Sequence, residues 1–108
     1  MRLDEKWQNV LESVGFSFFP VVNPQNGELF GVEALVRGYE KCGFASIDDM
    51  FDDAYRDGAL YDIDLELRKN VFAKFIETRE YLSKKEGVQQ KVASLKLFYN
   101  IDTRILEM

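Results

Sequence analysis

Two β-type runs joined by an Asn-Gly step constrain the fold of this chain more than any other feature. The first run, "FSFFPVVNP" at residues 16–24, is aromatic and β-branched and stops at Asn23-Pro24. The segment "PQNGE" then carries Asn26-Gly27, a pair suited to the tight turn of a hairpin. The second run is "LFGVEALVRG", residues 29–38. Two runs so joined form a hairpin, so the first two strands run antiparallel. Pro20 lacks the N–H that a sheet ladder needs, which puts the first strand at an edge or a bulge.

Helical spacing surrounds the hairpin. Leu3, Trp7, Val10, Leu11 and Val14 recur at three- and four-residue intervals and predict a helix over 2–14, with Gly15 as its stop. That helix reads as a packing element or as a connector from an upstream regulatory domain. "YEKCGFA" reads as a loop. Ser46, with Asp49 three residues on, opens a helix that runs to Gly58 and buries Met50, Phe51, Ala54 and Tyr55. In a longer helix over 62–86, Ile63, Leu67, Val71 and Phe75 lie four apart, Phe72 and Ile76 widen the stripe, and "SKKEG" closes it. "VASLKLFYNID", residues 92–102, reads as a third strand, and "TRILEM" as the start of a further helix. A strand, a long amphipathic helix and another strand make an α/β fold with a parallel pair.

Composition narrows the chemistry. The 108 residues allow one domain at most, and the 46% hydrophobic content can build a core. A net charge of −5 argues against a surface for nucleic acid polymers, which need a basic footprint. A small anionic ligand held by one Arg or by metal ions is still compatible with that charge. The chain has no His, which removes Ser-His triads, Cys-His pairs and His-ligated zinc from within it. Cys42 is the single cysteine, so there is no intrachain disulfide. No apolar run approaches the roughly 20 residues that span a bilayer, and the N-terminus is mixed-charge. The expected location is cytoplasmic, with a membrane anchor conceivable in a longer parent. The acidic run "DDMFDD" suggests a metal site, but on the first turns of a helix it reads as a solvated surface.

The stretch "FGVEALVRG" places Glu33, Leu35 and Arg37 on one face of a strand, with Ala34 and Val36 on the other. Four residues at strand rise separate the two charges by about 13–14 Å, too far for a direct salt bridge. Either each charge reaches water or a local partner near a strand end, or each serves a different part of one ligand. In the second case the carboxylate suits a hard divalent cation and the guanidinium suits phosphate. Spacing alone favours the first.

"FFPVVNPQNGELFGVEALVRG" resembles the opening of an EAL domain, the family of cyclic di-GMP phosphodiesterases. It has Glu33-Ala34-Leu35, an Arg two residues on, the aromatic-x-Pro strand and the Asn-Gly turn. "GFASIDDMFDDAYRDGALYDIDLELRKNVF" resembles the helical segment that follows, with an Ile63-Asp64 pair. "LKLFYNID" resembles the strand carrying the family's metal-binding Asn. The likeness covers residues 16–108 in order, with 1–15 as a connector helix. It implies part of a (β/α)8 TIM-like barrel whose first strand is antiparallel, truncated after about three strands, because such barrels need about 250 residues. It implies Glu33 and Asn100 as metal ligands for Mg2+ or Mn2+, and Leu35 and Arg37 as contacts to cyclic di-GMP. The intact domain would hydrolyse that dinucleotide to linear pGpG, as part of a bacterial signalling protein with an upstream sensor. The chain alone, lacking the later acidic motifs, is expected to be inactive and to self-associate through its uncovered edge and faces. Phe19 stands where the family often has Gln, and Gly38 where it often has an aromatic. Those departures support the alternative, a degenerate EAL domain acting as a cyclic di-GMP receptor or protein-interaction module. A short standalone interaction module is a third possibility.

Overall fold

The structure, a computed structural model, describes residues 3–84, 95–100 and 104. The elements in chain order are α1 (Glu5–Ser13), β1 (Gly15–Val22), β2 (Leu29–Arg37), a 3-10 turn (Tyr39–Cys42), α2 (Ile47–Arg56), α3 (Leu60–Ser83) and β3 (Lys96–Tyr99). The fold is mixed α/β, with a three-stranded sheet and three α-helices among the described residues. The expected tail of the long helix at 85–86, the flanks of the third strand at 92–94 and 101–102, and "TRILEM" apart from Arg104 lie outside those residues.

The sheet order is β1-β2-β3. β1 pairs antiparallel with β2, Phe19 lying opposite Glu33 and Pro20 opposite Val32. Pro20 therefore sits in an edge strand, where its missing N–H costs no ladder bond. The hairpin closes as Asn23 N–H donates to the Glu28 carbonyl (2.8 Å) and Gly27 N–H to the Asn23 carbonyl (2.7 Å). Gly27 has φ +71°, a left-handed conformation that glycine adopts without steric cost. The side chains of Asn23 and Asn26 each accept from the backbone two residues on, at 2.9 Å. A register shift between Val21 and Val22 leaves Phe30 as the extra residue of a bulge. β2 and β3 pair in parallel, from Gly31 with Lys96 to Ala34 with Tyr99.

Alternation sorts the sheet into two faces. Phe16, Phe18, Val32, Val36 and Leu97 belong to the core clusters that the helices complete, and Ala34 is buried. The predicted stripe of α3 is buried at Ile63, Leu67, Val71 and Phe75. Phe72 is not part of it: it is 59% exposed. It lies about 100° round the helix from Val71, off the buried stripe. Tyr55 likewise faces outward, with the Arg104 guanidinium 4.9 Å from its ring centre.

Helix ends follow local chemistry. Asp4 caps α1, its carboxylate accepting from Trp7 N–H at 3.1 Å. Gly15 is not the stop of α1. Val14, in an extended conformation, ends the helix, and Gly15 opens β1. The "YEKCGFA" segment is not all loop, since Tyr39–Cys42 winds into the 3-10 turn. Ser46 Oγ accepts from Asp49 N–H at 3.0 Å at the start of α2. Gly58, at φ +71°, stops that helix in a Schellman pattern: its N–H donates to Tyr55 O (3.1 Å) and Ala59 N–H to Ala54 O (2.8 Å).

α1 is built into the core. Trp7 is fully buried, stacks on Phe44 with ring centres 6.0 Å apart, and donates from Nε1 to Asp57 at 2.9 Å. Removing an aromatic side chain of roughly 150–250 Å2 from water is worth about 4–6 kcal/mol at ~25 cal/mol per Å2. Lys6 adds ion pairs to Asp53 (2.8 Å) and Asp57 (2.9 Å), clasping α1 to α2. Among the described residues no helix is long and apolar enough to cross a membrane.

Candidate functional site

The sheet face away from the helices carries Glu33, Leu35 and Arg37. Glu33 lies at the middle of β2, between Phe19 of β1 and Phe98 of β3. Asn100 directly follows β3. The parallel register sets Phe98 beside Glu33, so Asn100, two residues on, shares that face. Its Nδ2 donates to Glu33 Oε2 at 3.1 Å, across 67 residues of sequence. The two residues expected to share a metal are therefore in direct contact.

β3 ends its pairing opposite Ala34, while β2 runs on to Arg37. This mismatch opens a cavity of about 260 Å3 beside the end of β2, against the first turn of α2. Leu35, Arg37 and Asn100 line it with Tyr39, Asp48 and Tyr99. The Arg37 guanidinium carbon lies 5.3 Å from the centre of the Phe19 ring. Phe19 is the cross-strand partner of Glu33, so the guanidinium folds back along the sheet toward the Glu33 row. All four residues singled out in the sequence lie on one face or around one cavity.

Asp64 and Tyr99 were not assigned a role from the sequence. Asp64 is 1% exposed, the one buried charged side chain among the described residues. Arg68 grips its Oδ2, with Nε at 2.6 Å and Nη2 closer still. The Tyr99 hydroxyl donates to Asp64 Oδ1 at 3.4 Å. Burial first, then the Asp64 carboxylate, push the Tyr99 phenol above its ordinary range. The signal for Asp64 was its position beside core residue Ile63, with Arg68 four residues on.

The acidic run on α2 is partnered by cations. Asp53 binds Lys6 and Arg56, and Asp52 binds Arg104 at 2.9 Å. Among the described residues no group of three or more carboxylate or cysteine side chains is placed to hold a metal. Glu33 and Asn100 offer oxygen donors only. Such a two-member set fits Mg2+ or Mn2+ keeping most of its shell as water and phosphate oxygen. Comparison with family models, with curated proteins and with solved structures returns no match.

Proposed function

We propose that residues 16–108 are the opening part of an EAL-type barrel, and that Glu33, Asn100, Leu35 and Arg37 belong to a site for cyclic di-GMP and a divalent cation. The observation that carries this reading is the Asn100–Glu33 contact, made from the residue after β3 to the middle of the parallel strand β2. An antiparallel β1 supports it. In a parallel barrel, sites assemble from the C-terminal ends of several strands.

In this reading Glu33 and Asn100 hold a Mg2+ or Mn2+ ion through oxygen. Leu35 presents an apolar contact at the cavity, and Arg37 supplies a fork for a phosphate. A bound cation supplies Lewis acidity to the phosphodiester and to an attacking water. Hydrolysis to linear pGpG belongs to the intact domain. On this reading two candidate ligands, Glu33 and Asn100, lie among the described residues, and the chain by itself binds without turning over.

The contact between Arg37 and Phe19 favours a second reading, a degenerate domain that acts as a protein-interaction module. Phe19 holds the guanidinium that would otherwise be available to phosphate. Paramagnetic broadening of NMR signals by Mn2+, followed by titration with cyclic di-GMP, tests both. The expected result is early broadening at Glu33 and Asn100, its loss in Glu33→Ala, and dinucleotide shifts at Leu35 and Arg37 without hydrolysis. Uniform broadening, or broadening unchanged in Glu33→Ala, would overturn the metal site. Clear turnover by the chain would overturn its inactivity.

A further inference from the structure

We propose that Asp64 is a positioning residue, which through the Tyr99 hydroxyl holds the end of β3 so that Asn100 meets Glu33. The inference rests on the site reading above for its purpose, but its geometry stands independently of any metal.

β3 pairs with β2 over four residues only, and Asn100 lies one residue beyond the last pair. The ladder alone leaves that end free to slide or twist, as short strand ends do. Tyr99 and Asn100 are neighbours on extended backbone, so their side chains leave opposite faces of the sheet. Tyr99 reaches back to α3, where Asp64 accepts from its hydroxyl at 3.4 Å. Asn100 reaches forward to Glu33 at 3.1 Å. One residue of backbone therefore links a buried anchor behind the sheet to the candidate site in front of it.

The anchor has a physical basis. A carboxylate removed from water needs partners for both oxygens. Arg68 takes Oδ2 and Tyr99 takes Oδ1. The Asp64–Arg68 pair lies four residues apart on one helix, so α3 supplies the anchor preassembled. Core packing at Ile63 and Leu67, both fully buried, flanks it on either side. An ion pair serving helix stability alone would not need a hydroxyl from the strand bearing Asn100.

The test uses the whole chain and a readout that needs no metal. The Asn100 side-chain amide protons are followed by NMR in wild type, Asp64→Asn and Tyr99→Phe, with hydrogen exchange and chemical shift recorded. Tyr99→Phe removes one oxygen and keeps the ring, so it remains informative if Asp64→Asn does not fold. The expected result is a several-fold faster exchange of the Asn100 amide in Tyr99→Phe, shifts toward those of Glu33→Gln, and unchanged Trp7 fluorescence. Mn2+ affinity falls about tenfold, the lower end of the effect of outer-shell partners. An Asn100 amide unaltered in Tyr99→Phe overturns the proposal. If Mn2+ fails to act at Glu33 in wild type, the metal reading fails, and the amide comparison alone still decides whether Asp64 positions Asn100.

Discussion

Gly31 leaves no room for a side chain against β3, and replacing it by Ala should push the two strands apart. A Cβ built at Gly31 would meet the Lys96 carbonyl oxygen well inside contact distance and Phe98 Cε2 at 2.9 Å. The aromatic ring can rotate away, but the carbonyl oxygen belongs to the backbone of the paired strand and cannot. Relief comes only from moving β3. Overpacking of this kind costs about 1–3 kcal/mol, and the fixed oxygen places Gly31→Ala at the upper end. A domain of this size has ~5–15 kcal/mol in total, and each kcal/mol shifts Tm by about 4–8 °C. Thermal unfolding followed by circular dichroism should therefore show a fall of about 10–20 °C. Gly31 also pairs with Lys96 at the start of the four-residue ladder that ends near Asn100. The displacement should thus break the Asn100–Glu33 bond, visible as faster exchange of the Asn100 amide. A Tm within about 2 °C of wild type, with that amide unchanged, would refute the argument that backbone contact at Gly31 sets the spacing of the two strands.

Trp7→Ala should destabilise the chain by about 3–5 kcal/mol in urea titrations, because it empties a core position and removes the bond to Asp57. A loss below about 1 kcal/mol would mean that α1 does not contribute to the folded core. The clasp between α1 and α2 should respond to pH in a definite direction. Hydrogen bonds from Lys6 and then from Trp7 hold the Asp57 carboxyl below its ordinary value of 3.8. Its contribution is therefore present above pH 3.8 and is lost as pH falls through the lower folded-state value. Lys6 is raised above its ordinary 10.5 by the hydrogen bonds it donates to Asp53 and then Asp57, so its share is present below 10.5 and is lost as pH rises through the higher folded-state value. Emission from Trp7, the single tryptophan, should report the acid limb, and Asp57→Asn should flatten it. An acid limb identical in Asp57→Asn would assign the transition to other carboxylates.

The local grammar of the chain was legible from residue types alone. The Asn26-Gly27 turn, the Ser46 cap, the Gly58 stop and the four-residue stripe from Ile63 to Phe75 depend on neighbours within one turn or one strand, and all are present. Alternation along "FGVEALVRG" sorted Glu33, Leu35 and Arg37 from Ala34 and Val36, because a strand permits only two faces. The same reasoning misjudged Phe72 and Tyr55. A helix reveals its apolar stripe by spacing, but the width of what packs against it is a property of another part of the chain. Gly15 misled for a related reason: a glycine after a helix can stop it in the left-handed region, or simply begin a strand.

What decided the candidate site was the register of β2 against β3. A shift of one residue would send Asn100 to the core face and leave Glu33 without its partner. No local signal sets that register. It follows from the close approach at Gly31, from Leu97 and Leu95 packing toward Phe75, and from Tyr99 reaching Asp64 on α3. The residue types that can bind a cation and a phosphate were written in the sequence. Their meeting at 3.1 Å, and the burial of Asp64 behind them, exist only once residues 67 and 35 positions apart are packed into one sheet and one helix.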